Sequence, residues 1–322
     1  MDFSILIYNL SNPTILFFVL GLIAIWVKSD LQIPDSSVKF ISLYLLLSIG
    51  FKGGQELSHG GITVEIVWTL IFALILALVI PLYVFYLARI RLNVFDSTAV
   101  AASYGSVSAV TFVSCISFLE YQGLKSGGHM VAVMALMEAP AIVMGFTLLN
   151  LYDKSNYHSE KKSLGSVIKH AFTNGSVLII FGSLIIGLLT DPKQAEGIRP
   201  FTTDIFKGFL AIFLLEMGMT AARRMGAIRN YGWFVSILGI GIPLFNGCAV
   251  ALLSHLITDD IANRLVLSVL AASASYIAVP AAMRIAVPKA DPGLYIPLAL
   301  GITFPLNITL GMPLYFLIVQ SF

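Results

Sequence analysis

Two stretches of this chain put hydroxyl side chains and helix-weakening residues inside long apolar runs. The first reads AASYGSVSAVTF, Ala101 to Phe112, and the second AASASYIAVPAA, Ala271 to Ala282. Both begin Ala-Ala-Ser, and they lie 170 residues apart. Glycine costs a helix interior about 1 kcal/mol relative to alanine, and serine competes for backbone hydrogen bonds. Pro280 lacks an N–H and disfavours helix at Val279 before it. The spacing therefore predicts unwound backbone over residues 103–111 and 273–280. In hydrocarbon such backbone must face protein or a polar cavity, because each unpaired group costs several kcal/mol. Its freed carbonyls can hold a small cation, and the N–H groups that open a half-helix suit an anion. Hydroxyls of Ser106, Ser108 and Thr111 add neutral ligands beside Gly105. Ser103, Ser273, Ser275 and Tyr276 complete the two breaks. Close helix packing through small residues is the competing use for such stretches.

The second kind of chemistry is an acid at membrane depth. Glu138, in Met137-Glu138-Ala139-Pro140, sits well inside an apolar run. Burying it there costs at least ~2.5 kcal/mol on insertion scales, which makes it a candidate for cation binding or proton carriage. Glu216, in LLEMGM, is a similar acid nearer a run's end. Thr303 and Asn307 flank Pro305; both are candidate polar liners, and Thr303 is a candidate cation ligand. Asp96 reads as an N-terminal helix charge and His255 as an interfacial residue. Arg284 reads as an inner anchor or a source of positive potential. Cys115 and Cys248 both fall in apolar segments and read as packing residues. No phosphate-binding glycine loop, nucleophile elbow or zinc-ligand spacing is present. The expectation is a protein that is not an enzyme. It needs no organic cofactor, no nucleic acid and no metal beyond a sodium ion.

The elements that must position these residues are membrane helices. Hydrophobic residues make up 58% of the chain and charged ones 11%, less than half the usual share of a soluble domain. Ten apolar runs fall at roughly 13–27, 38–50, 63–88, 98–118, 130–152, 176–190, 205–221, 232–257, 264–285 and 295–320. Most are long enough to cross a bilayer core, and the start of the chain carries no signal-peptide pattern. Of the 19 Lys and Arg, thirteen lie in the connections after runs 1, 3, 5, 7 and 9, which therefore face the cytoplasm. Both termini then face outward, in a multi-pass protein of the inner (plasma) membrane. The most polar stretch, Tyr152 to Gly175, divides the chain. It leaves a first five-span half at 1–152, a linker at 153–175 and a second half at 176–322. Gly50 recurs as Gly218 at an offset of 168, and Pro140 as Pro305 at 165. An odd number of spans per half makes this an inverted repeat, the arrangement that supports alternating access.

These residues resemble a known family. GSVSAVTFVSCISFLE (Gly105 to Glu120), MEAPAIV (Met137 to Val143) and AASASYIAVPAAMRIAVPKADPGLY (Ala271 to Tyr295) are similar to segments of the SbtA-type sodium-dependent bicarbonate transporters, as is FKGGQEL (Phe51 to Leu57). The resemblance covers nearly the whole chain. It implies an all-α integral membrane protein of about ten transmembrane helices in two inverted five-helix repeats, with discontinuous crossing helices 4 and 9. It implies sodium-coupled bicarbonate uptake with sites at the crossing, which here means Gly105, Ser106, Ser108, Ser273 and Ser275. A homotrimer and a PII-like soluble regulator are further implications. The chain departs from the family at the second break, which there runs Ser-Ser-Ser-Asp-Ile-Ser-Gly-Pro. Here Ala274 replaces the middle serine, Tyr276 the aspartate and Ala278-Val279 the Ser-Gly.

The expected function is sodium-coupled uptake of a small anion, bicarbonate first. Gly105, Ser106, Ser108, Thr111, Ser275 and Tyr276 would meet the anion, and Ser103, Glu138, Ser273 and Thr303 the cation. The alternatives are a cation/proton exchanger or organic-anion symporter on the same architecture, with Glu138 and Glu216 carrying protons, and a non-transport membrane enzyme or receptor.

Overall fold

Pro13 opens the first helix, α1 (Pro13–Trp26), and the Asn12 side chain caps it by accepting the Thr14 N–H at 3.0 Å. The computed structural model describes residues 12–61, 63–153, 175–228 and 231–322, with positions 165, 169 and 173 between them. Most of the expected linker, 153–175, lies outside the described residues. After α1 come α2 (Asp35–Gly60), α3 (Val64–Arg89), α4 (Val94–Gly105), α5 (Ala109–Tyr121) and α6 (His129–Tyr152). Then follow α7 (Gly175–Leu189), the short α8 (Pro192–Glu196), α9 (Phe206–Ile228), α10 (Trp233–Leu253), α11 (Ile261–Ala272) and α12 (Ala278–Ala286). The last, α13 (Pro292–Ser321), contains wider π-helical turns at Leu298–Thr303 and Asn307–Gly311.

The described residues are helical and contain no strand. Among the described residues six helical segments are long and apolar enough to cross a membrane, the bent pair α4–α5 (Val94–Tyr121) among them. Three shorter apolar helices, Pro13–Trp26, Gly175–Leu189 and Ile261–Ala272, accompany them. Trp68, Leu178, Leu189 and Phe245 point outward, as lipid contact requires. Tyr104, Phe112, Phe213 and Phe304 are fully buried in the centre.

The second helix departs from expectation. The apolar run stops near Gly50, but α2 continues to Gly60 through Lys52, Gln55 and Glu56. Packing supplies what hydropathy lacks there. Gly54 lies against the backbone of Gly187 and Leu188, Gly187 lies against Phe51, and the Gln55 amide donates to the Thr190 carbonyl at 2.8 Å. A matching approach joins α1 to α9, where Gly21 and Gly218 bring the two backbones together. A Cβ at Gly54 would stand 2.7 Å from the Leu188 nitrogen, whereas one at Gly182 would meet nothing within 4 Å. Gly54→Ala should therefore destabilise by about 1–3 kcal/mol through overpacking, while Gly182→Ala gains up to about 1 kcal/mol of helix propensity. Thermal unfolding of the two variants in detergent checks this: melting temperatures that move together would refute it.

Candidate functional site

The two breaks are shorter than their sequences suggest. α4 runs through Ser103, Tyr104 and Gly105, so the first break is only Ser106-Val107-Ser108, and Thr111 already lies in the first turn of α5. The second break is Ser273 to Ile277. Val279 and Pro280 belong to α12, which corrects the expectation that Pro280 excludes helix there. Pro280 sits in the first turn, where N–H groups have no intrahelical acceptor and the missing one costs little.

The breaks meet and exchange hydrogen bonds. The Ser108 N–H donates to Ser273 Oγ at 3.0 Å, and the Ser275 N–H donates to the Ser103 carbonyl at 2.8 Å. Ser108 and Ser275 also cap the half-helices that follow them: Ser108 Oγ accepts the Thr111 N–H at 3.2 Å, and Ser275 Oγ the Val279 N–H at 3.3 Å. The starts of α5 and α12, with their positive partial charge, are thereby fixed beside the carbonyl ends of α4 and α11.

The carbonyls released at the end of α11 are held by side chains from neighbouring helices. Asn246 of α10 donates to the Ala271 carbonyl at 3.0 Å and Asn307 of α13 to the Ala272 carbonyl at 2.8 Å. Tyr83 in turn donates to Asn246. Asn246 was not singled out from the sequence, although an asparagine midway along an apolar run is itself a signal. Thr303 supports the crossing from behind: its hydroxyl donates to the Gly239 carbonyl at 2.9 Å and accepts from Tyr104 at 2.6 Å. Gly105 gives the crossing its closeness to α3, since a Cβ there would lie 2.5 Å from the Pro81 ring.

Three hydroxyls at the crossing are left over. Ser103 Oγ, Ser106 Oγ and Tyr276 Oη are buried and have no hydrogen-bond partner among the described residues. Buried polar atoms in proteins are nearly always satisfied, by protein or by ordered water. At the breaks is a cleft of about 20 Å³, the size of one small ion or water, lined by Ser108, Glu138, Ser275, Tyr276, Ser42 and Leu46; Ser103, Gly105, Ser106, Thr111, Ser273 and Thr303 are not in its lining. Glu138 from α6 shares that lining with residues of both breaks and, among the described residues, is its one carboxylate. The Tyr276 ring packs edge-on against Phe304 at 5.9 Å. Among the described residues no group of three or more His, Cys, Asp or Glu side chains could hold a metal ion.

The other flagged residues fall outside the crossing. Glu216 Oε1 accepts from Thr220 at 2.8 Å and lies 3.7 Å from Arg223. Asp96 Oδ1 accepts the Asp291 N–H at 2.8 Å. Cys115 is buried and Cys248 half-buried, both as free thiols.

Two vestibules flank the crossing. One, of about 730 Å³, is lined by Lys39, Arg224, Arg284 and Ser42 and reaches Tyr276 and Ile277 of the second break. The other, of about 580 Å³, has Lys52, Glu120 and Lys125 on its walls and Ile49 and Phe112 in its lining. The cleft and the second vestibule share no lining residue, with buried Leu46 in the one and buried Ile49 and Phe112 in the other, whereas Ser42, Tyr276 and Ile277 are common to the cleft and the first.

No curated protein matches the chain. The sequence profile of the Na+-dependent bicarbonate transporter superfamily matches residues 13–320, and a match over nearly the full length, on a helical membrane architecture with this crossing, places the chain in that superfamily.

Proposed function

We propose that the chain is a sodium-coupled symporter of a small anion, with bicarbonate as the first candidate. The observation that supports this reading is the crossing itself: the starts of two half-helices, the side chains of Ser108, Ser275 and Tyr276 and the carboxylate of Glu138 line a cleft of ionic size. Sodium, a hard cation, would take oxygens from Ser103, Ser273 and Glu138, with Thr303 holding the crossing in shape. The anion would meet the N–H groups and hydroxyls around Ser106, Ser108, Thr111 and Ser275, beside Gly105 and Tyr276.

The reading includes ten spans in two inverted five-helix repeats, 1–152 and 176–322, joined by a cytoplasmic linker at 153–175. Reciprocal packing supports it. α1 of the first half packs on α9 of the second through Gly21 and Gly218, and α7 of the second packs on α2 of the first through Gly187 and Gly54. These pairs correspond at offsets of 166 and 164 residues, so Gly54 is a better counterpart of Gly218 than Gly50 is. The vestibule bearing Lys39, Arg224 and Arg284 would then be cytoplasmic and both termini external. Access would alternate by moving the Leu46, Ile49 and Phe112 barrier away while the Tyr276 side closes. A homotrimer and a PII-like regulator rest on the family resemblance alone.

The test is uptake of labelled bicarbonate into proteoliposomes with and without an inward sodium gradient. Uptake that ignores the gradient would sink the proposal. A second reading, proton-coupled exchange, draws on Glu138 being, among the described residues, the one carboxylate in the cleft lining. A sodium-independent, pH-driven flux that survives Ser106→Ala but not Glu138→Gln would favour it.

A further inference from the structure

The 580 Å³ vestibule holds charges that the crossing does not use. Its lining carries Lys52, Lys125 and Arg199 against Glu56, Glu120 and Glu196. These charges are not equivalent. Arg199 pairs with Glu196 at 2.8 Å, and Lys207 at the rim pairs with Glu120 at 2.9 Å. Glu120 and Glu56 act on Lys52 electrostatically, from beyond ion-pair distance. Among the described residues no carboxylate lies within 4.0 Å of Lys52 Nζ, which sits 5.2 Å over the Phe206 ring.

Lys52 is also well placed along the pathway. On α2 it stands one turn above Ile49, and Ile49 stands one turn above Leu46 in the lining of the cleft. On α5 the same step runs from Ala109 in the cleft lining to Phe112 in the vestibule lining. The position is rigid, because Gly53 and Gly128 bring α2 against the start of α6 so closely that a Cβ at Gly53 would lie 3.0 Å from the Gly128 carbonyl.

We propose that the Lys52 ammonium is the core of a capture site for a small monovalent oxyanion, separate from the crossing and occupied before it. An ammonium with no carboxylate within 4.0 Å, in a concave wall of low dielectric, attracts a small anion locally. The site rests on the reading that this chain moves an anion, and it adds a recruitment step on the side opposite Arg284.

The test uses the full chain in proteoliposomes at saturating sodium, with bicarbonate as the probe. Lys52→Gln should raise the bicarbonate KM about tenfold with the maximal rate within about twofold, and Lys52→Arg should restore the KM. In the unaltered protein the KM should also rise as inert salt shortens the screening length from about 10 Å at 0.1 M towards about 3 Å at 1 M. That measurement does not depend on any variant folding. A KM indifferent to both Lys52→Gln and salt, or a loss of maximal rate at unchanged KM, overturns the capture site while leaving symport intact. Absence of sodium-driven uptake by the unaltered protein overturns both.

Discussion

Glu138→Gln is expected to cut sodium-driven bicarbonate uptake by about a hundredfold at sub-saturating sodium, with little change in melting temperature. The substitution keeps shape and removes one negative charge from a cleft whose other oxygens are neutral hydroxyls and carbonyls. The starts of α5 and α12 both direct positive partial charge at the same place. A monovalent cation there needs compensation, and Glu138 is the carboxylate that reaches it. At about 4–5 Å and an effective dielectric near 20, one such attraction is worth about 3–4 kcal/mol. Each ~1.4 kcal/mol is a factor of ten in affinity, so a hundredfold is the conservative figure. The loss should appear as a raised half-saturation for sodium and be partly recovered at high sodium. Uptake equal to that of the unaltered protein would show that Glu138 takes no part in binding the cation. Glu138→Asp separates charge from reach: it keeps the charge and withdraws it by one methylene.

Much of this site was legible in the sequence, and the limits have physical causes. Ser, Gly and Pro clustered together in an apolar run announce a break, whereas single ones such as Pro81 and Pro140 stay within helices. The breaks proved narrower than their composition because a helix ladder runs on until a cap ends it. Ser103 and Gly105 remain in α4, and Pro280 is harmless in a first turn. The bonds that tie the breaks together were out of reach, since they join residues 165 and 172 positions apart, one from a backbone N–H to the Ser273 hydroxyl and one between backbone groups common to every residue. Lys52 and Gln55 misled in the other direction. Their polarity argued that the second helix ends near Gly50, yet they are carried within it by glycine contacts to a helix more than 130 residues away. Asn246 and Asn307 act on carbonyls that only the break exposes, so their roles could be read only after the break was located.

Tyr276→Asp is expected to lower the sodium concentration needed for half-maximal uptake about tenfold and to raise bicarbonate uptake at low sodium. The family resemblance puts an aspartate at this position, whereas here a phenol ring fills it, packed on Phe304 and lining both the cleft and the 730 Å³ vestibule. Two effects oppose each other. Removing a buried aromatic costs about 3–5 kcal/mol of packing, softened here because the ring borders an open cavity that water can fill. Adding a carboxylate beside Glu138 supplies a second negative charge, which favours a bound cation by more than it costs once that cation is present. Tyr276→Ala makes the same space without the charge and tells the two effects apart. If Asp sharpens sodium dependence and Ala does not, charge at this position sets the coupling strength, and the chain is a weak-sodium variant of its family's site. If both variants change uptake equally, the ring acts by volume, as a plug between cleft and vestibule. If Tyr276→Asp lowers uptake of bicarbonate but leaves the fold intact, this site is built for a different anion, one whose recognition needs the ring.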